Sequence, residues 1–186
     1  MTLGFSQQIN GKPNYFAEKI WISILDGNFP DEIKFQYDLF YKEYANKFGK
    51  HWDAIDFDLI KGKVHTIRHD PKDRWKTGNL IHPVINNRSS NRFQFAPAIP
   101  CVSTQKIEVE WCDSGNLLGR YARVYVDSTR YLGVFEEKEN RWQSTFNRDS
   151  LDTLAINDGF DSVKDFFAYF NQNFEGKIIH WTDLKY

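Results

Sequence analysis

The chain has 186 residues and a mass of 22.0 kDa, enough for one domain, or one domain with a sizeable insertion, and too few for two full ones. Its 16 Phe, 6 Trp and 9 Tyr raise the aromatic share to 17%, which excludes disordered, collagen-like and linker-like chains because so many rings need a core to bury in. A formal charge of −1 excludes a polybasic chain that coats nucleic acid or anionic lipid wholesale, and leaves room for a local basic site.

Taken in chain order, Phe16, Ala17, Ile20, Trp21, Ile24 and Leu25 recur at helical spacing and predict a first helix, with Pro13 in its first turn and an end before Asp26-Gly27. Ile33, Tyr37, Phe40, Tyr41, Tyr44 and Phe48 form the stripe of a second helix, opened near Pro30-Asp31 and stopped at Gly49. Leu80 to Ile85 reads as a strand weakened at Pro83, and Asn86 to Pro100 as a long loop. Ile107, Val109 and Trp111 interleave with charged residues as in a half-buried strand. Tyr121–Val126 and Arg130–Val134 follow as strands joined across Asp127-Ser128. Val163, Phe166, Phe167, Phe170 and Phe174 predict a third helix behind Asp161-Ser162, and Lys177–Thr182 a closing strand. Short antiparallel strands with helices at their margins point to a single α+β domain built around a small barrel or curved sheet.

Two cysteines, Cys101 and Cys112, are too few for a disulfide framework, and the start lacks a basic segment followed by an apolar one. The longest apolar stretch, around Ile20 to Leu25, is far short of a membrane span. The expectation is a cytoplasmic protein with no membrane partner. CxxC pairs and Walker-type glycine loops are missing, and no cofactor is expected.

Splitting the charge is more informative than summing it. From Lys61 to Arg92 eight basic residues face only Asp70 and Asp73, so this window carries +6 against −7 for the remainder. Three of the five histidines, His65, His69 and His82, lie in it. Trp75 sits between Arg74 and Lys76, and Arg88 and Arg92 follow, an arrangement that offers cations for phosphates and a ring for stacking a base. The bland alternative is a solvated basic face with a core tryptophan. His65 and His69 have four-residue spacing, but no third ligand stands out and no metal site is expected.

Within the same window, Gly62, Lys63, Thr66, Ile67 and Arg68, followed by Trp75, Gly78 and Leu80, resemble the Gly-Lys-x-x-Thr-Ile-Arg stretch and next strand of the ASCH family of the PUA-like superfamily. Asp158-Gly159-Phe160 with Ser162 looks like the acidic patch before that family's later helix, and Ile178 to Trp181 is similar to its closing strand. The resemblance implies a PUA-like small antiparallel β-barrel with flanking helices. The helix between Asp31 and Phe48 then becomes an insertion at about 28–50. It also implies a cleft suited to RNA or a modified nucleoside; with the basic segment, the expected partners are RNA, single-stranded nucleic acid or a modified nucleoside and the expected ligand contacts Arg68, Arg74, Trp75, Lys76 and Arg88. One branch, the small bacterial N(4)-acetylcytidine amidohydrolases, uses a lysine, a threonine three residues later and a glutamate. These fall on Lys63, Thr66 and Asp158, the last one methylene shorter than glutamate.

That chemistry sets its own conditions. A threonine hydroxyl needs a neighbour to take its proton. An unperturbed lysine, with a pKa of about 10.4, is only roughly 0.04% neutral at pH 7, so Lys63 serves as a base only if burial or nearby cations lower that value. On a regular strand Lys63 and Thr66 project to opposite faces, so they meet only if Gly62 to His65 is a turn feeding a strand that begins near Thr66. The same alternation puts Thr66 and Arg68 on a cleft face, with Ile67 in the core and His65 near its edge. Three functions follow: a nucleic-acid or nucleotide-binding module, an amidohydrolase, and an interaction protein that uses the inserted helix.

Overall fold

A computed structural model describes residues 1–52, 60–113, 120–128, 130–136, 141–143 and 150–186. In chain order it contains β1 (Thr2–Phe5), β2 (Gln8–Ile9), β3 (Lys12–Pro13), α1 (Phe16–Asp26), α2 (Asp31–Lys34), α3 (Tyr37–Phe48), β4 (His65–Arg68), β5 (Leu80–Ile85) and β6 (Phe93–Gln94). Then come β7 (Ile99–Pro100), β8 (Ser103–Asp113), β9 (Arg120–Val126), β10 (Arg130–Glu136), β11 (Arg141–Gln143), α4 (Ser150–Asn157), α5 (Val163–Tyr169) and β12 (Phe174–His180). The fold is mixed α+β, as expected. Its sheets are open: among the described residues none closes into a barrel.

Six strands form an antiparallel sheet in the order β11-β10-β9-β8-β12-β4. Alternation along β8 and β9 turns Ile107, Val109, Ala122, Val124 and Val126 to one face, where α4 and α5 cover them with Leu154, Phe166 and Phe167. The smaller sheet is built on β5, which pairs parallel with β1 and antiparallel with β6 and β7. Helices α1 and α3 pack over it, with Trp21, Ile24, Ile81, Phe95 and Tyr44 in a second core. Strand β4 is the outer strand of the large sheet, and Arg68 reaches from it to the Gly4 carbonyl of β1, 3.0 Å away. The candidate site forms at this seam.

Several expectations need correction. Pro13 does not open α1; it lies in β3, paired with β2 across an Asn10-Gly11 turn whose residues have φ of 52° and 77°. The second helix is two, because the amide of Gln36 bonds the Ile33 carbonyl in a tightened turn between α2 and α3. That turn leaves Phe35 80% exposed. Tyr44 is buried and the rings of Tyr37, Phe40, Tyr41 and Phe48 are partly buried against the core, while Leu39 joins Phe35 on the exposed side. Helix α5 stops at Tyr169, and Phe174 starts β12 instead of ending a helix; its ring still lies 4.9 Å from that of Phe170. The expected loop after Asn86 contains β6 and β7, and α4 and β1 appear without having been anticipated. Among the described residues no helix is long and apolar enough to cross a membrane.

Candidate functional site

Two backbone features place the site. At Gly62 the chain crosses α1 so closely that a Cβ would lie 2.9 Å from the Ser23 backbone nitrogen. The Lys63 amide then bonds the Lys19 carbonyl at 2.9 Å and the Val64 amide bonds the Asn157 carbonyl at 2.9 Å, so residues 62–64 bridge two helices before β4 begins at His65. This break in the alternation lets Lys63 and Thr66 share a cavity. The second feature ends α4. The Phe160 amide reaches the Ala155 carbonyl and the Gly159 amide the Ile156 carbonyl, with Gly159 at φ +88°, the pattern of a glycine-terminated helix. Asp158 is thereby held beside Lys63.

Lys63 is 0% exposed, and its Nζ donates to Asp158 Oδ1 at 2.6 Å and to the Asp158 carbonyl. It also lies 4.5 Å from the centre of the Phe16 ring. Asp158 Oδ1 accepts a further bond from the Ile67 amide at 3.1 Å, satisfying a donor on the free edge of β4, and His65 Nδ1 is 3.7 Å from it. Burial pulls the Lys63 ammonium down to about 8, with Arg68 and Lys19 pushing the same way against the attraction of Asp158. Burial alone would raise the Asp158 carboxyl, but Lys63 and His65 outweigh it and hold the group below the usual carboxylate range. The pair is therefore ionised at neutral pH, with Lys63 the member nearer to giving up its proton.

Lys63, Thr66, Arg68 and Asp158 line one cavity of about 240 Å³. Phe16, Phe160 and Tyr169 supply its rings, while Ser6, Gln8, Ile9 and Asn10 close it from the β2–β3 hairpin and its approach. Ile67 packs in the core and Thr66 and Arg68 face the cavity, as the alternation required; His65 is fully buried and not at the core's edge. The hairpin residues went unnoticed in the sequence, where Asn10-Gly11 was the available signal.

The remaining candidates do not converge on it. Trp75 is 4% exposed and belongs to the core, so the ring set apart for stacking is a packing residue. Arg74 points outward with its Nε 3.6 Å from Asp70 Oδ1, and Lys76 is an exposed partner of Asp73. Arg88 does not line the cavity itself but an adjoining open depression with Asn86, Asn87 and Ser89 that shares Ser6 and Gln8 with it. Among the described residues no three His, Cys, Asp or Glu side chains are grouped to hold a metal ion. Compared with known family models, curated proteins and solved structures, the chain matches none of them.

Proposed function

We propose that the chain is a PUA-like, ASCH-type domain that binds RNA or a nucleotide in the cavity between β4, α1 and the α4–α5 junction. The carrying observation is the convergence of Lys63, Thr66, Arg68 and Asp158, residues of the Gly-Lys-x-x-Thr-Ile-Arg run and the later acidic patch, on one ring-walled cavity. Its volume of about 240 Å³ suits a single base or nucleotide unit better than a folded nucleic acid. Tyr169, 48% exposed at the rim, is the ring best placed to stack on a base. Titration of labelled single-stranded RNA and of mononucleotides tests the reading. Affinity is expected to fall as salt rises, and Tyr169→Ala to weaken binding by about 1–3 kcal/mol. Failure of every nucleic-acid probe to bind would reject it.

A specific observation favours a second reading, deacylation of an N(4)-acetylcytidine-type base. With a pKa of about 8, Lys63 is neutral in about a tenth of the molecules at pH 7, and it shares the cavity with Thr66. Thr66 Oγ1 would add to the acyl carbon and pass its proton to Lys63 Nζ. The exocyclic amine would leave with that proton, and water would then release the acid from the acyl-threonine. Binding without catalysis remains the first reading because Lys63 Nζ is committed to Asp158, and no hydrogen bond joins it to Thr66 among the described residues. Incubation with N(4)-acetylcytidine decides between them: an enzyme releases acetate and loses at least about a hundredfold in rate in Thr66→Ala. No release by the wild type, or an equal rate in the variant, removes the second reading.

A further inference from the structure

The charges lining the cavity do not cancel. Asp158, whose Oδ1 is taken by Lys63 and the Ile67 amide, is near enough to favour the Arg68 guanidinium electrostatically but makes no ion pair with it. Among the described residues no carboxylate lies within ion-pair distance of it, whereas Lys19 has Asp161, Arg74 has Asp70, and Lys76 and Lys177 share Asp73. Of its five N–H donors, one on Nη2 is used by the Gly4 carbonyl, and Nε is buried with no partner among the described residues. The Phe5 ring, 5.2 Å away, offers only partial compensation. A cation largely removed from water without a counter-ion is costly, and a planar fork of N–H groups matches two oxygens of a phosphate.

Resting on the binding role proposed above, we infer that the ligand of this cavity carries an oxyanion, a phosphate group, that docks on Arg68, so that phosphate-bearing nucleotides and not neutral nucleosides are its ligand class. Arg74 and Lys76, already paired with Asp70 and Asp73, are not the phosphate anchors. The phosphate can belong to a free mononucleotide or to one link of an RNA strand, and the two sources separate in the same experiment.

The test measures binding of inorganic phosphate, the four ribonucleosides, their 5′-monophosphates and a mixed-sequence pentaribonucleotide to the wild type, Arg68→Gln, Arg68→Lys and the surface control Arg74→Gln. At least one monophosphate, or the pentanucleotide, is expected to bind about tenfold or more tighter than any nucleoside. That advantage disappears in Arg68→Gln, is reduced in Arg68→Lys and persists in Arg74→Gln. Tight binding of a monophosphate identifies a free nucleotide; binding of the pentanucleotide alone identifies a phosphodiester. Because Arg68→Gln could perturb folding, the Arg68 Nε–H resonance of the wild type is followed in parallel, and phosphate is expected to shift it. Nucleosides binding as tightly as their monophosphates would overturn the inference while leaving the binding role intact, as would an advantage that survives in Arg68→Gln. Absence of binding by nucleosides, nucleotides and oligonucleotide alike would overturn both.

Discussion

Replacing Lys63 with methionine is expected to lower the free energy of unfolding by about 3–5 kcal/mol, the usual cost of leaving one member of a buried ion pair alone. The side chain is fully buried, its Nζ is 2.6 Å from Asp158 Oδ1, and methionine fills nearly the same volume, so the loss reads charge and hydrogen bonding more than a cavity. Asp158 would keep only the Ile67 amide and His65 as polar neighbours in a site where burial already works against its charge. Its carboxyl would then titrate higher, and the variant should recover stability relative to the wild type as pH falls and the group becomes neutral. The double variant Lys63→Met/Asp158→Asn removes the stranded charge and should regain part of the loss. Urea unfolding of the wild type, the single variant and the double variant checks this; a Lys63→Met protein as stable as the wild type would mean that the pair is not formed.

Three of the four residues at the heart of the cavity, Lys63, Thr66 and Arg68, were legible because their signal is local, whereas Asp158, far along the chain, was reached only through the resemblance. Gly62 to Arg68 is one short run, and period-two alternation from Thr66 onward already divides cavity-facing Thr66 and Arg68 from buried Ile67. The strands β5, β8, β9 and β10 were legible for the same reason, each carrying its own alternation or apolar run. What failed depends on tertiary partners. Strand β1 is four residues long and exists by pairing with β5, far along the chain. Pro13 suits both a helix start and a strand beside a turn, and only the Asn10-Gly11 turn before it decides. Trp75 was misplaced because its flanking cations speak only for themselves. Arg74 and Lys76 reach outward to aspartates while the ring between them turns into the core. The walls of the cavity, Gln8, Asn10 and Tyr169, come from elements that carry no mark of sharing a site until β4 and β1 are brought together.

Behind the Lys63–Asp158 pair, His180 makes the protein acid-sensitive in a defined window. Its ring is 0% exposed, both nitrogens lack a hydrogen-bond partner, and the His65 ring lies 5.3 Å away, itself bonded through Nε2 to the Tyr186 hydroxyl at 2.7 Å. Burial, with repulsion from His65 and Lys185 and a smaller opposing pull from Asp127, lowers His180 to about 3. The unfolded chain takes up this proton near pH 6.5 and the folded one does not, so the contribution of His180 is flat above that pH and falls as the pH drops from about 6.5 toward 3. The full displacement corresponds to a loss on the order of 5 kcal/mol. His65, also lowered by burial, acts in the same direction. Asp158, Asp70 and Asp73, all held below the usual carboxylate range, lose their contributions from about pH 5 downward, so the interval from about pH 6.5 to 5 isolates the histidines. His180→Leu is expected to flatten most of that slope. At pH 7 it should leave the protein as stable as the wild type or more so, since two buried unsatisfied nitrogens are removed from a site flanked by Ile179 and Trp181. Denaturant unfolding at half-unit steps of pH measures both effects, and an unchanged slope in the variant would show that the buried ring is not the group that resists its proton.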